Sequence, residues 1–508
     1  MRTSAQPAST THWVLLATLD RPRAHEHAPR VRHGLVLALA LTGCRPEPAP
    51  TSSPPPTPPE VPAIVTPPAA LAPPSPPPQP FTTPEIRAAR ALAQRRVLGE
   101  HAELLPDLQP AGSPVRGRFS PLILPQDSDP LAHFYAALTR LQSGAPEQPK
   151  LRVVVYGASG TAADLWTAYL RTYLQTRFGD GGPGFVSPVR HRSWSRHAEY
   201  KIDSSKRWTR YQSGSKTASP GGHYGLAGVA MAADRAGATG SLTPAARATS
   251  SRGVDSFELF YLVQPNGGRL SLQIDALRPE IVDTRGPLAP GYRRLDVPPG
   301  PHALTLKTLD RREVRVFGVV AERPDRGVVL DTLGIDGASA AIHLGADEPL
   351  WADNLRHRAP DLYILAYGTN EAFDSDFDER RFTGQLRELT ARLRRAAPTA
   401  SCVLMAPGDH GRPDGDPGPA QRLERVRAIE RTLAAEAGCA LWDALDFMGG
   451  PGAMAEWVTA DPPLARADHV HATARGAVLT AMALADALLL RHDLAGAVAP
   501  ADTRVATP

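Results

Sequence analysis

Residues 153–166 read VVVYGASGTAADLW. A run of β-branched residues that enters a Gly-Ala-Ser-Gly turn and then a helix-forming stretch predicts a strand–turn–helix unit of a parallel sheet. Two different sites are built on such a unit. In one, the glycines let the backbone approach the pyrophosphate of a dinucleotide. In the other, the turn holds a nucleophilic serine, here Ser159, at the carboxyl edge of the sheet.

The pattern of apolar and polar residues changes twice along the chain. From 327 to about 495, apolar stretches such as GVVLDTLG, DLYILAYG and SCVLMAP alternate with helical patterns, which predicts a parallel sheet covered on both faces. Between 185 and 326, period-two segments with Asn-Gly-Gly and Pro-Gly turns predict an antiparallel β-sandwich. We therefore predict an α/β domain in two parts, 81–184 and 327–495, that is interrupted by the sandwich.

The bulk composition narrows the choice of partners. The 508 residues are 42% hydrophobic, which is ordinary for a globular protein, and the formal net charge is +4. Basic and acidic residues are interleaved, and no basic block is flanked by stacking aromatics, so nucleic acid is not an expected partner. The sequence leaves the oligomeric state open.

The N-terminal region predicts export. Basic residues, a short apolar run and Leu41-Thr42-Gly43-Cys44 resemble a bacterial lipoprotein signal over 1–44, in which Cys44 is lipidated. An ordinary secretory leader is the alternative, and a translation start at Val31 stays open. Arg45 after the cysteine implies the outer membrane or cell surface, and the apolar run is too short to span a bilayer. Residues 45–80 are a proline-rich tether, and 496–508 are predicted to be a disordered tail.

Cys402 and Cys439 lie in apolar, strand-like stretches. They are buried thiols or a disulfide between neighbouring strands, and sequence alone does not decide between these. The chain has no Cys-x-x-Cys pair, and the histidines at 191, 197 and 223 lack ligand spacing, so no metal site is predicted.

The dinucleotide interpretation fails on three details. The helix after the turn runs into GDGGPGF instead of a second strand that ends in an acidic residue, and Asp180 therefore falls in a glycine-rich loop. Ala163 stands where the third glycine is required, and no Tyr-x-x-x-Lys pair is present. No cofactor is therefore predicted.

The nucleophile interpretation finds its partners further along the chain. In ADHVHATARG, the Asp-x-x-His spacing allows Asp468 to orient His471, which is favoured over His469 as the general base for Ser159. AYGTNEA and DTLGIDGAS each follow a strand, so the Asn370 amide and the Gly337 N–H are candidate donors to an oxyanion at the same sheet edge.

In this order the motifs YGASGT, GIDGAS, YGTNEA and DHVH resemble the four blocks of the SGNH (GDSL-type) hydrolases. The serine turn, the FGDGGPGFV stretch and the β-rich insertion are similar to bacterial envelope proteins related to peptidoglycan O-acetylesterases, in which a carbohydrate-binding-like sandwich interrupts the hydrolase domain. The resemblance implies a flavodoxin-like α/β fold, a Ser159–His471–Asp468 triad, and an oxyanion hole that includes Gly337 and Asn370.

The chain departs from the family pattern at several positions. The family usually has Gly-Asp-Ser-His at the serine, where this chain has Ala158 and Gly160 on either side of Ser159. Asp336 stands where relatives commonly have Asn and adds negative charge near the expected oxyanion. Ala472 and Ala474 follow His471 where bulkier residues are common.

Together these features predict a serine esterase that removes O-acetyl groups from a cell-envelope or extracellular glycan, anchored to the membrane through Cys44. A glycan O-acetyltransferase with the same triad and a non-catalytic glycan-binding lipoprotein are the alternatives. Trp194, Trp208 and Tyr211, near the start of the insertion, either stack on sugar rings or pack in its core.

Overall fold

The computed structural model describes residues 79–498 except for 114, 116, 145–146, 148, 193–194, 216 and 246–252. The predicted signal with Cys44, residues 45–78 of the tether, Trp194 and residues 499–508 of the tail lie outside this part. Within the described residues, no helix is long and apolar enough to cross a membrane.

The first α/β segment has one strand and four helices. The Thr83 side chain caps the first helix by accepting the Ile86 N–H at 3.3 Å, and proline stands in its first turn. The elements are α1 (Pro84–Leu98), α2 (Ala132–Ser143), β1 (Lys150–Gly157), α3 (Ser159–Ala162) and α4 (Trp166–Phe178).

The insertion consists of antiparallel strands and one short 3-10 helix at Pro220–Gly222. Its strands are β2 (Gly184–Val186), β3 (Tyr200–Ser204), β4 (Thr209–Gln212), β5 (Val229–Ala233), β6 (Thr239–Pro244), β7 (Val254–Val263), β8 (Arg269–Ile274), β9 (Glu280–Asp283), β10 (Ala289–Gly300), β11 (Leu304–Thr308) and β12 (Val314–Glu322).

The second α/β segment alternates strands and helices, with a 3-10 helix at Ala340–Gly345. Its elements are β13 (Gly327–Gly334), α5 (Glu348–Arg358), β14 (Leu362–Ala366), α6 (Thr369–Phe373), α7 (Glu379–Ala396), β15 (Ser401–Ala406), α8 (Gly418–Glu436), β16 (Ala440–Asp443), α9 (Ala444–Met448), α10 (Ala453–Thr459) and α11 (Ala474–Val498).

The two α/β segments form one parallel five-stranded sheet of order β13-β1-β14-β15-β16. Numbered along the chain within this sheet, the order is 2-1-3-4-5, the flavodoxin-like order. Val153 and Val155 face one apolar core, and Val154 and Tyr156 face the other. Because both faces are buried, the strand is a continuous apolar run, which is the signal that predicted it.

The insertion forms two further sheets, β10-β7-β12-β5-β4 with β2 beside β12, and β3-β6-β11-β8-β9. They enclose a core that includes Leu259, Leu272 and Val316. The other face of the first sheet contributes Phe260 and Phe317 to a core that it shares with the α/β domain. The predicted fold class, a flavodoxin-like hydrolase domain with an inserted antiparallel sandwich, is confirmed.

Two aromatic residues of the insert pack within the protein. The Trp208 ring is half-buried against the core, and its Nε1–H donates to the Thr239 carbonyl at 2.9 Å. Tyr211 lies beneath the Arg315 guanidinium, 4.9 Å from its ring centroid. Their internal contacts favour the packing interpretation over sugar stacking.

Cys402 on β15 and Cys439 just before β16 form a disulfide with a Cα–Cα distance of 4.7 Å. Both cysteines are buried. The bond closes a loop that contains α8 and spans 37 residues, so it restricts the unfolded chain much more than it changes the folded one.

The double variant Cys402→Ala/Cys439→Ala should lose about 3–4 kcal/mol of unfolding free energy, because a loop of this length regains its closure entropy when the bond is absent. Urea unfolding of the oxidised wild type and the double variant measures the difference, and reductant should lower the wild-type midpoint alone. Equal midpoints for the two oxidised proteins would contradict the bond.

Burial also sets the charge of several histidines. It lowers the pKa of His197 and His410 to about 4 and that of His343 to about 3. These rings stay neutral in the folded chain at pH 5, whereas they are protonated at that pH in the unfolded chain. The unfolded state then binds more protons, so each histidine makes the protein less stable as the pH falls below about 6.5.

A His343→Gln variant should lose less stability than the wild type between pH 7 and pH 5, by at most about 1.4 kcal/mol per pH unit. Buried carboxyls such as Asp486, whose pKa burial raises to about 6, act in the opposite sense in both proteins. The test is therefore the difference between the two slopes in urea unfolding. Parallel slopes would mean that His343 is protonated in the folded state.

Candidate active site

The serine turn is shaped by close backbone packing. β1 ends at Gly157, where an added Cβ would lie 2.1 Å from the Thr161 Oγ1. Only glycine allows α3 to begin so close to the strand end. Ser159 is the first residue of that helix, and its hydroxyl therefore stands at the carboxyl edge of the sheet.

The His471 ring lies between a hydroxyl and a carboxylate. Its Nε2 is 2.9 Å from the Ser159 Oγ, and its Nδ1 is 2.9 Å from the Asp468 Oδ2. Since a carboxylate only accepts, Nδ1 carries the proton and Nε2 is free to accept from the serine. This is the arrangement that general-base activation of a serine needs.

Asp468 is held by the turn that it begins. Its Oδ1 accepts the N–H groups of Val470 and His471 at 3.0 and 2.9 Å. Burial raises the pKa of Asp468, but these two N–H donors and the His471 ring outweigh it, and the pKa falls below its ordinary value. The carboxylate is therefore ionised at neutral pH, although its side chain is 45% exposed.

His469 has a different role in the same turn. Its φ is +57°, in the left-handed region, its N–H donates to the Arg466 carbonyl, and its own carbonyl accepts the Gly411 N–H. The hydrogen bond to Ser159 is made by His471 instead. The structure thus brings the His471 ring to Ser159, and its role as general base stays a prediction.

Asn370 lies at the edge of the next strand. It is in the first turn of α6, after β14, and its Nδ2 donates to the Ala338 carbonyl at 2.7 Å. This bond fixes the amide beside the serine cavity, and its second N–H is available to a ligand.

Glu371 is a buried anchor that the sequence analysis missed. Its carboxylate accepts the N–H of Gly368 at 3.0 Å and that of Ala340 at 2.8 Å. It thereby ties the Asn370 turn to the turn that follows β13. Burial raises its pKa despite these donors. The Gly-x-x-Glu spacing at a helix start is the signal that marks such a contact.

Gly337 is placed differently from the other predicted site residues. It lies in an exposed turn with a φ of +71°, and an added Cβ would meet nothing within 4 Å. It is not among the residues that line the serine cavity. The structure therefore explains this glycine by its backbone conformation, and its role as an oxyanion donor stays a prediction.

A cavity of about 230 Å³ opens between Ser159, Asn370 and His471. Most of its wall is apolar. Three residues that depart from the family pattern, Ala158, Gly160 and Ala472, belong to this wall. Further wall residues are Leu165, Trp166, Met405 and Ala477.

A further departure, Asp336, has a neighbour of opposite charge. Arg210 of the insert lies close enough to interact electrostatically with it. The negative charge next to Gly337 is therefore partly offset by a residue that sequence analysis did not connect to the site.

Part of the chain matches a known protein family. Residues 304–479 match the model of the GDSL-like lipase/acylhydrolase family. The matched range contains Gly337, Asn370, Asp468 and His471, and it begins within the insert, after Ser159. No curated protein sequence matches the chain significantly.

Several solved structures are similar to the chain. A peptidoglycan O-acetylesterase is 24% identical, with a TM-score of 0.59, and the alignment covers 72% of this chain and 98% of that one. A family two carbohydrate esterase from Clostridium thermocellum in complex with cellohexaose is 12% identical over 57% and 99% of the two chains, with a TM-score of 0.24. An acetyl xylan esterase is 19% identical over 34% and 80%, with a TM-score of 0.24.

The first of these structures shares the fold. Its 72% share of this chain exceeds what the two α/β segments supply together, so the likeness extends into the insert. The family match over residues 304–479, the order of the four motifs and the parallel sheet support an SGNH (GDSL-type) carboxylic ester hydrolase, and the likeness to the first structure shows a shared fold.

Proposed function

We propose that the protein is a serine esterase that removes O-acetyl groups from a cell-envelope or extracellular glycan, with Ser159, His471 and Asp468 as its triad. The observation that carries the proposal is the hydrogen-bonded line from the Ser159 Oγ through His471 to Asp468 at the mouth of an apolar cavity. An ester carbonyl that enters this cavity meets the nucleophile, its base and the Asn370 amide together.

In the first half of the reaction, the Ser159 Oγ attacks the carbonyl carbon of the acetyl ester while the His471 Nε2 takes the hydroxyl proton. The carbonyl oxygen becomes an oxyanion, which accepts from the Asn370 Nδ2–H and the Ser159 N–H. The bond from the carbonyl carbon to the sugar oxygen then breaks, and His471 gives its proton to that oxygen. Asp468 stabilises the cationic imidazole throughout this half.

In the second half, a water molecule attacks the acetyl-Ser159 ester. His471 takes one proton from the water and returns it to the Ser159 Oγ as the tetrahedral intermediate collapses. Acetate leaves, and the triad regains its starting protonation.

Two features support a glycan ester as the substrate. A solved structure that shares this fold is a peptidoglycan O-acetylesterase, and the apolar cavity beside Ser159 offers the methyl group of an acetyl ester a wall without charged side chains. A transferase would instead pass the acetyl group to a sugar hydroxyl. A decayed domain that only binds glycan would release no acetate.

We further propose that the protein is exported and anchored through Cys44. The disulfide between Cys402 and Cys439 supports export, because such bonds persist in oxidising compartments and are rare in the cytosol.

Ser159→Ala and His471→Ala should each lower kcat by about 10⁴-fold or more, because each removes one member of a unit that acts together. Acetate release from p-nitrophenyl acetate and from O-acetylated peptidoglycan measures this effect. Ser143→Ala, on the exposed end of α2, is a matched serine control and should keep wild-type activity. A well-folded wild type that releases no acetate from either ester would overturn the proposed function.

Asn370→Ala should lower kcat by about 10²–10³-fold with a smaller change in KM, because the amide interacts most strongly with the charge that develops in the transition state. Steady-state kinetics with p-nitrophenyl acetate separates the two constants. Thermal unfolding should accompany the measurement, since the variant also loses the hydrogen bond to Ala338. A folded variant with unchanged kcat would remove Asn370 from the oxyanion hole.

His469→Gly should keep its activity and its stability, because glycine adopts the left-handed backbone of this position without strain. His469→Val should lose about 1–2 kcal/mol, since a branched side chain is strained at positive φ. Urea unfolding and esterase assays of both variants test this. Loss of activity in the glycine variant comparable with that of His471→Ala would reassign the general base.

A further inference from the structure

Arginines of the insert lie next to the active site on the side away from the apolar cavity. Arg192 and Arg196 are exposed, and Arg210 on β4 is half-buried. We call these three residues the arginine cluster. The Arg196 backbone N–H donates to the Ala162 carbonyl at 3.0 Å, which places this part of the insert against the short helix that begins with Ser159.

A second contact places the cluster beside the turn after β13. Arg210 interacts electrostatically with both Arg192 and Asp336. Asp336 belongs to the turn whose Ile335 N–H donates to the Gly157 carbonyl at 3.0 Å, directly before the serine turn. The cluster therefore borders the site at the β13 edge of the sheet, whereas the apolar cavity lies at the ends of β14 and β15.

The cluster carries unneutralised positive charge. Within the described part of the chain, none of its three arginines has a carboxylate oxygen within 4.0 Å, and the Arg210 Nη1 is buried without a hydrogen-bond acceptor. His191 adds no charge at neutral pH, because burial and the Arg210 guanidinium lower its pKa to about 4. Asp336 interacts electrostatically with Arg210, and this one carboxylate stands against three guanidinium groups of the cluster.

Other arginines of the insert form ion pairs with carboxylates. Arg323 contacts the carboxylates of Asp180 and Glu199, and Arg315 pairs with Glu313 at 2.6 Å. The contrast shows that the insert does not lack acidic partners in general. The arginine cluster is therefore a local feature of the surface beside Ser159.

The net charge of the whole insert adds to the positive electrostatic potential of the arginine cluster. Residues 185–326 contain 22 lysines and arginines against 13 aspartates and glutamates, a formal net charge of +9, whereas the entire chain has a net charge of only +4. The remainder of the chain is thus negative by 5. A polyanion that approaches the protein is attracted to the insert and its border with the active site.

We propose that the arginine cluster binds carboxylate groups of an acidic glycan whose acetyl ester is presented to Ser159. This inference rests on the proposed esterase function and names the class of glycan. When the acetyl group enters the apolar cavity, the sugar chain leaves Ser159 toward the β13 side, where the guanidinium groups pair with carboxylates through two parallel N–H···O bonds.

The test compares two polymers that differ in charge. Partially O-acetylated polygalacturonate provides a carboxylate on every sugar, and partially O-acetylated dextran provides none. For the full chain, KM on the acidic polymer should be at least tenfold lower, and it should rise with salt because exposed charges are screened within about 8 Å at physiological ionic strength. Equal KM values on the two polymers would overturn the proposal.

The exposed pair is removed in the double variant Arg192→Gln/Arg196→Gln. We expect about a tenfold higher KM on the acidic polymer, with kcat, the KM on acetylated dextran and the turnover of p-nitrophenyl acetate unchanged. Arg207→Gln is the matched control, since Arg207 is an exposed arginine of the same insert that donates to the Ala236 carbonyl, and it should behave as the wild type. An unchanged KM in the double variant, or an equal rise in the control, would contradict the assignment.

A binding measurement separates this inference from the esterase function. In isothermal titration, the Ser159→Ala protein should bind polygalacturonate that carries no acetyl groups. It should lose this affinity when Arg192 and Arg196 are also replaced by Gln. Binding of the polymer by a wild type that has no esterase activity would contradict the proposed function and support the glycan-binding site. Ester cleavage without charge-dependent binding would do the reverse.

Discussion

The site depends on the parallel register of three neighbouring strands. Gly157 at the end of β1 pairs with Gly334 of β13 on one side and with Ala366 of β14 on the other. Because the three strands end level, the turns that follow them emerge side by side at one edge of the sheet. A shift of one residue in this register would turn every side chain of β1 to the opposite face. The buried valines on both faces therefore determine the position of the Ser159 hydroxyl.

A buried ionic cluster holds the insert in place on this sheet. The Asp331 carboxylate of β13 accepts two N–H bonds from Arg358 at 2.8 and 3.1 Å and the Phe185 N–H of β2 at 2.8 Å. Arg358 also donates to Glu322 of β12 at 3.0 Å. Removal of one member of such a network leaves a buried charge unpaired, which typically costs about 3–5 kcal/mol. The insert is thus fixed on β13, the strand that borders the serine turn.

Local signals in the sequence predicted the main elements of the fold and the side chains that meet at the serine cavity. The β-branched run before Ser159, the alternation after 327 and the Asp-x-x-His spacing each reflect contacts between residues close in the chain. The contacts that sequence did not reveal join distant segments. The Glu371 carboxylate reaches Ala340, and Arg210 faces Asp336, through folding of the sheet and docking of the insert. The pairing of Cys402 with Cys439 likewise depends on β15 and β16 being neighbours.

The departures from the family pattern change the electrostatics of the site at two places, the serine turn and the turn after β13. Ala158 and Gly160 leave the wall beside Ser159 without the acid and the imidazole that the family pattern has there. Charges interact more strongly where the surroundings are apolar and water is excluded. In the proposed mechanism, the Asn370 amide would act on the developing oxyanion with no adjacent carboxylate to oppose it at the serine turn. The one added carboxylate, Asp336, interacts with Arg210, so this guanidinium of the arginine cluster limits the repulsion that Asp336 would exert on an oxyanion at Ser159.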